Sequence, residues 1–256
     1  MARTLNDLTY FTRSLIQCRP WEYDYTVHPL EWRQSIEDEY KDKKVLRVGV
    51  MRTDGVVDPS PACARALSLV ADALRAEGHE VFNVTPPSPY KALKLASHLL
   101  LSDGGQTFMS FFRSGEWNDL SAAVMDAQGK GEKAMDVMLV PPNATPAVPH
   151  GGMHDAVSSC GYTFLFNLLD YSAGVIPVTH VDPIADALPS TFAFRKLNGI
   201  AQGAYKHYDA IKMAGLPVGV QVVGRRLQEE KVLAVMERCE DALDKHGGRY
   251  ELLEVD

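Results

Sequence analysis

The chain has 256 residues, of which 46% are apolar and 23% are charged, as in globular proteins and unlike disordered ones. Its 26 Lys and Arg against 33 Asp and Glu give a net charge of −7, so it has no basic excess with which to bind a nucleic acid. No stretch is apolar over the roughly 18 residues that span a bilayer, and residues 1–7 lack a signal-peptide core, so we expect a cytoplasmic protein without a membrane segment.

The first predicted element is an amphipathic helix. Four apolar side chains recur there at helical spacing: Leu5, Leu8, Phe11 and Leu15. They predict a helix over residues 4–17, capped by Thr4 together with the first-turn acid Asp7. Residues 18–44 show no clear period, so we predict a surface loop with room for one short helix.

A βαβ unit follows. The β-rich run 45–51 predicts a strand, and residues 61–77 predict a helix that ends at Gly78 in a left-handed conformation. Residues 80–84 predict the next strand. Because strand, helix and strand follow one another within about 40 residues, we expect two parallel strands joined by a right-handed crossover.

The second half of the chain alternates in the same way. Helices are predicted over 89–102, in pieces over 106–134, over 162–170 and over 228–245. Strands are predicted over 135–140, 175–179, 217–223 and 250–255. Pro177 predicts that its strand lies at an edge or contains a bulge. The pattern indicates an α/β protein in which helices cover a mixed, mainly parallel β-sheet.

Several kinds of active site are missing from the sequence. It contains no Gly-x-Ser-x-Gly elbow and no Gly-x-Gly-x-x-Gly motif after the first strand. His150, His154 and Asp155 have the residue types of a metal site, but Gly151 and Gly152 disfavour the helix that would align them. The cysteines lie too far apart for a zinc or redox motif: Cys18, Cys63, Cys160 and Cys239. We predict neither a metal nor a cofactor.

A series of short segments nevertheless matches one protein family in order. These segments are 1–8, 20–24, 46–50, 54–57, 73–81, 103–105, 136–141, 145–151, 161–163, 167–171 (Asn-Leu-Leu-Asp-Tyr), 177–179 and 215–225. Together they resemble the carboxyl-terminal half of the amidase signature family, and most closely its fungal acetamidase-like members. The resemblance implies the corresponding part of an α/β/α sandwich. We interpret residues 1–256 as a single truncated domain, with residues 106–134 as a shortened helical segment beside the substrate channel.

The resemblance also implies an activity, the hydrolysis of non-peptide amide C–N bonds through an acyl-enzyme. In that family the nucleophile is a serine in a Gly- and Ser-rich loop, activated by a second serine and a lysine. All three precede the segment that residues 1–8 resemble, and no Gly-Gly-Ser-Ser-Gly-Gly run occurs in the sequence, so we assign no catalytic residue. Four residues match pocket-side motifs and are predicted to bind substrate, with core packing as the alternative: Asn167, Asp170, Tyr171 and Gln221.

Three interpretations are open at this point. The chain is an amidase-family protein that is inactive alone, or a non-catalytic binding or regulatory protein that reuses the fold. The third interpretation is a truncated or split piece of a fungal amidase from nitrogen or secondary metabolism. The expected partners are a small amide, if the protein is active, and either a second copy of the chain or the missing amino-terminal half.

Overall fold

The computed structural model describes residues 1–85, 90–92, 94–95, 134–152, 161–246, 248 and 250–251. Its strands are β1 (Arg47–Val50), β2 (Glu80–Asn83), β3 (Val137–Val140), β4 (Ala173–His180) and β5 (Pro217–Val223). Its helices include α1 (Leu5–Gln17), α2 (Gln34–Asp42), α3 (Pro61–Ala76), α4 (Gly161–Leu168), α5 (Gly199–Tyr205) and α6 (Glu229–His246). Short 3₁₀ turns lie at Pro20–Glu22 and Phe194–Lys196.

The described strands form one mixed sheet in the order β2-β1-β3-β5-β4. Strand β1 pairs in parallel with β2 and β3, whereas β5 runs antiparallel to both β3 and β4. Four strands therefore point one way and β5 points the other. This sheet, with helices packed against it, confirms the predicted fold class, and α3 joins β1 to β2 as the predicted βαβ unit.

Helix α3 packs across the sheet and carries much of the core. Ser60 caps it by accepting a hydrogen bond from the amide of Cys63 at 3.5 Å, and Gly78 follows its end with φ of +84°, as predicted. One face of the helix is buried: Ala62, Cys63, Ala66, Leu67, Val70, Ala71, Ala73 and Leu74. Since removing apolar surface from water is the dominant favourable term in folding, this face anchors the helix to the sheet.

Strand β4 behaves as its proline predicts. It lies at the edge of the described sheet, and its register with β5 shifts between Pro177 and Thr179. A proline has no amide hydrogen to donate, so it fits an edge or a bulge and would break a regular inner strand. Both parts of the prediction for Pro177 are confirmed.

Helix α2 lies within the region predicted to be mainly loop. It is a short helix of the kind for which that prediction left room, and its buried residues are Glu37 and Tyr40. The Glu37 carboxylate accepts a hydrogen bond from the Trp32 indole at 3.1 Å and pairs with Arg13 of α1 and Lys41 of its own helix. Its apolar contacts with the core come from Ile36 and Tyr40, a repeat too short to set the bounds of a helix from the sequence.

Some predictions fall on residues that the structure does not describe. The helical segment predicted over 106–134 and the strand predicted over 250–255 lie outside the described residues except at 134 and 250–251. The helix predicted over 89–102 is described only at 90–92 and 94–95, which are helical. In the described part of the chain, none of the helices combines the length and the apolarity that crossing a bilayer requires.

A buried polar cluster lies at the amino ends of the parallel strands. Asp136, just before β3, accepts hydrogen bonds from Lys43 Nζ at 2.6 Å and from the Arg47 amide at 2.8 Å. Lys231 of α6 donates to the Asp136 carbonyl at 3.3 Å and lies 4.5 Å from the centroid of the Tyr40 ring. Burial lowers the pKa of Lys231 to about 8, because the charged amine has lost most of its water.

Lys231 should make the stability of the protein rise between pH 8 and pH 10. The folded chain releases the Lys231 proton near pH 8, whereas an unfolded lysine keeps its proton to about pH 10.4. The unfolded state therefore binds more protons in this window, and raising the pH favours the folded state by ~2 kcal/mol in total. Urea unfolding at pH 7 to 10 should show the natural chain gaining stability relative to Lys231→Met. A pH-independent difference between the natural chain and Lys231→Met would contradict the assignment.

Candidate functional site

The loops after β1 and β3 lie near the start of β5, at the end of the sheet where the parallel strands β1 and β3 have their carboxyl ends. Because β5 runs antiparallel to β3 and Gln221 pairs with Val140, the residues of β5 before Gln221 extend past the end of β3. In open α/β sheets, ligands bind outside the carboxyl ends of the parallel strands. A ligand site in this fold is therefore expected at the carboxyl ends of β1 and β3.

A cavity of about 360 Å³ lies there. It is lined by residues from the first turn of α3, the loop after β3, α5 and the start of β5: Cys63, Pro142, Asn143, Thr145, Pro146, Ala147, Val148, Ala204, Pro217, Val218 and Gly219. The polar side chains of this lining are Cys63, Asn143 and Thr145. Among the described residues that line the cavity there is no Asp, Glu, Lys, Arg or His.

The first turn of α3 forms a rigid wall of the cavity. The Ser60 amide donates a hydrogen bond to the Ala144 carbonyl at 2.7 Å, which joins α3 to the loop after β3. The Cys63 thiol is buried, and this burial raises its pKa to about 11. A thiol with this pKa is protonated at neutral pH and is therefore a weak nucleophile. Cys63 thus contributes to the shape of the cavity and offers no activated group.

The loop after β1, residues 51–60, lies at the same end of the sheet as the cavity. Asp54 is buried within it and accepts hydrogen bonds from the Val56 and Val57 amides, each at 2.8 Å. Burial raises the pKa of Asp54 above its ordinary value. Three side chains donate to carbonyls of this loop: Tyr162 Oη to Val57 at 2.6 Å, Asn198 Nδ2 to Val56 at 2.6 Å and Tyr205 Oη to Asp58 at 3.0 Å.

Three of the predicted substrate-binding residues lie together near the end of α4. Asn167 and Asp170 are exposed there, and Asp170 has φ of +53° and forms an ion pair with Arg226, which follows β5. Tyr171 is half-buried and stacks on Phe166, with 6.5 Å between ring centroids. The structure brings these three residues together at the far end of β5 from the cavity.

Gln221, the fourth predicted residue, lies in the middle of β5. Its side chain is buried, and Nε2 donates to the Tyr162 carbonyl at 3.4 Å. This contact ties β5 to the start of α4. None of the four predicted residues lines the cavity, and their contact with a substrate stays a prediction.

None of the residues that do line the cavity was predicted from the sequence to bind a ligand. They come from four separate segments of the chain: position 63, residues 142–148, position 204 and residues 217–219. A signal for the second of these existed, since Pro-rich residues follow directly after the buried strand β3. Position 63, position 204 and residues 217–219 carry no such signal, because their meeting at the cavity depends on the order of the strands in the sheet.

The sequence motif of histidines falls partly outside the described residues, which do not include His154 and Asp155. His150 is described and exposed. Among the residues that the structure describes, no three His, Cys, Asp or Glu side chains are grouped so that they could hold a metal ion.

Comparison with known proteins gives consistent matches. A family model described as Amidase matches residues 1–132 and 116–233. The acetamidase of Emericella nidulans is 32% identical to this chain over 93% of the chain and 49% of its own length. Amidase 1 of Gibberella moniliformis is 28% identical over 95% of the chain and 52% of its own length. A solved structure of fatty acid amide hydrolase superposes with a TM-score of 0.78 at 25% identity, covering 95% of this chain and 47% of that one. The chain thus spans about half the length of the curated relatives it matches.

Replacing Asn198 should weaken the contact between α5 and the loop after β1. Asn198 accepts a hydrogen bond from the Ala201 amide at 2.9 Å, which caps α5, and donates to the Val56 carbonyl at 2.6 Å. Asn198→Ala loses both bonds and should lower the free energy of unfolding by about 2 kcal/mol. Asn198→Ser keeps a capping oxygen and should lose about half as much. Urea unfolding measures both variants, and equal losses would show that Asn198 does not have this double role.

Proposed function

This chain belongs to the amidase family, and from that premise we propose that it forms the carboxyl-terminal half of an enzyme that hydrolyses the C–N bond of small non-peptide amides. By itself this half hydrolyses nothing. It acts when combined with the amino-terminal half of the fold, supplied on the same or on a separate polypeptide. The observation that carries the proposal is that the chain matches only about half of its relatives' length.

The chemistry of amide hydrolysis supports inactivity of this half alone. An acyl-enzyme mechanism needs a nucleophile, a base and hydrogen-bond donors for the oxyanion. The family resemblance assigns these roles to a Gly- and Ser-rich loop and a lysine, and the 256 residues contain no such loop. Without these groups the main contributions that lower the reaction barrier are lost.

The described groups that most resemble catalytic residues have structural roles. Ser60 caps α3, and the Ser172 hydroxyl donates to Glu229 at 2.9 Å. Lys231 has the low pKa that a base at neutral pH needs. Its amine, however, donates to the Asp136 carbonyl at the amino ends of the parallel strands, which is the end of the sheet opposite the cavity. These contacts favour an external source for the nucleophile and the base.

An apolar stripe on α1 supports the docking of a second half. Leu8 packs partly on the core, whereas Phe11 and Leu15 on the same side of the helix are 63% and 52% exposed. An amphipathic helix is stabilised when its apolar stripe is covered, and exposed apolar stripes mark contact surfaces. We propose that the half of the fold which the relatives have outside the matched region covers this stripe.

The second candidate is a non-catalytic binding protein. The cavity favours this function, because it can hold a small molecule without any catalytic group. The two candidates differ in one measurable property. Only the first predicts that amide hydrolysis appears when the other half of the fold is added.

The purified chain should release no ammonia from acetamide or benzamide above the rate in buffer. Coexpression with the part of Emericella nidulans acetamidase outside the matched region should give a complex on size exclusion and amide hydrolysis well above that of either half. Enzyme-like turnover by the chain alone would contradict its inactivity. A complex without hydrolysis would favour the binding protein, and the absence of a complex would contradict the docking of a second half.

The double variant Phe11→Asp, Leu15→Asp tests the surface on α1. It should abolish both the complex and the restored hydrolysis, because two carboxylates would be buried in the interface. Ile184 and Ile211 are 86% and 76% exposed elsewhere, so Ile184→Asp and Ile211→Asp are matched controls that should leave both readouts unchanged. If the controls were as damaging as the α1 variant, the contact would not be specific to the stripe.

A further inference from the structure

We propose that the cavity between α3, α5 and the start of β5 binds a small uncharged molecule with an apolar body and one hydrogen-bonding group, and that it excludes carboxylates. Such binding requires no catalytic group. It therefore stands apart from amide hydrolysis and is a property of this chain by itself.

The size and rigidity of the cavity suit a small ligand. Its volume of about 360 Å³ equals that of roughly a dozen liquid water molecules and falls in the usual range for small-molecule sites. Three prolines stiffen its walls: Pro142, Pro146 and Pro217. The hydrogen bond from the Ser60 amide to the Ala144 carbonyl holds the first turn of α3 against the loop after β3. These features restrict the movement of the walls.

The lining selects against charge. Alanine, valine and proline side chains provide most of it, and the polar side chains are the uncharged Cys63, Asn143 and Thr145. A carboxylate moved from water into this space would lose its hydration without gaining a cationic partner from the described lining, which is strongly unfavourable. An uncharged amide or alcohol loses far less hydration, and one hydrogen bond offsets the loss.

Cys63 provides a reporter for access to the cavity, and Cys239 provides its matched control. Cys63 is 3% exposed and lines the cavity, whereas Cys239 on α6 is 0% exposed and is not among the lining residues. Burial raises the pKa of both thiols, to about 11 for Cys63 and about 12 for Cys239. Both should react slowly for the same reason, so a difference in their rates reports access through the cavity.

Labelling with methyl methanethiosulfonate at pH 8, read by peptide mass spectrometry, tests the proposal on the full chain. Cys63 should react roughly ten times faster than Cys239, since Cys239 reacts only when the core opens. Isobutyramide should slow the labelling of Cys63 in a saturable way and leave Cys239 unchanged. Isobutyrate has nearly the same shape and a negative charge, and it should give no protection. The exposed Cys18 controls for effects on the reagent itself.

Two substitutions fill the cavity from different sides. Ala204→Leu adds a side chain from a buried position of α5, and Ala147→Leu adds one from an exposed loop position, where folding is not at risk. Each should slow the labelling of Cys63 toward the rate of Cys239 and abolish protection by isobutyramide. Ala214→Leu, at an exposed position outside the lining, should change neither.

Three results would overturn the proposal. Equal slow labelling of Cys63 and Cys239 would show that the cavity does not admit small molecules. Protection by isobutyrate equal to that by isobutyramide would show that the site does not discriminate against charge. Unchanged labelling of Cys63 at saturating isobutyramide would show that no uncharged amide binds. None of these readouts involves hydrolysis, so their outcome is separate from that of the experiment with the other half of the fold.

Discussion

The burial of helix α3 against the sheet is the contact on which the rest of the described structure depends. The helix begins at Pro61 beside the cavity and ends at Ala76, just before β2. Its position therefore sets both the parallel pairing of β1 with β2 and one wall of the cavity. Arg65 on the same helix binds the fully buried Asp186 carboxylate at 2.8 Å, which holds the loop after β4. Helix α3 therefore belongs both to the core and to the wall of the cavity. A substitution that displaces α3 changes the packing of the sheet and the shape of the cavity.

Two buried carboxylates near the cavity are already used to hold the backbone. Asp54 accepts hydrogen bonds from two amides of its own loop. Asp186 binds Arg65 and accepts a hydrogen bond from the Asp182 amide at 2.8 Å. These hydrogen bonds hold both side chains in place within the loops around the cavity. The described lining of the cavity carries no charged side chain. This agrees with the proposal that the nucleophile comes from the other half of the fold.

The proposed function also accounts for the exposed apolar surface of α1. The helix is well formed, with Thr4 accepting a hydrogen bond from the Asp7 amide at 3.1 Å, yet none of its residues is buried. A capped helix with an uncovered apolar stripe has the features of an interface element. On the proposed function, the stripe is where the second half of the amidase fold packs, and the chain provides a prefolded surface for it.

Features that depend on neighbouring residues could be predicted from the sequence. Local backbone preferences and the spacing of apolar side chains account for the bounds of β5, the left-handed Gly78 after α3, the Thr4 cap and the bulge at Pro177. Family membership followed as well, because it rests on the order of motifs. Tertiary packing sets which residues meet at the cavity, and the four predicted residues lie outside it: Asn167, Asp170, Tyr171 and Gln221. The reason is physical: the cavity forms where β5 runs against β3, and the direction of a strand relative to a distant neighbour depends on the packing of the whole sheet.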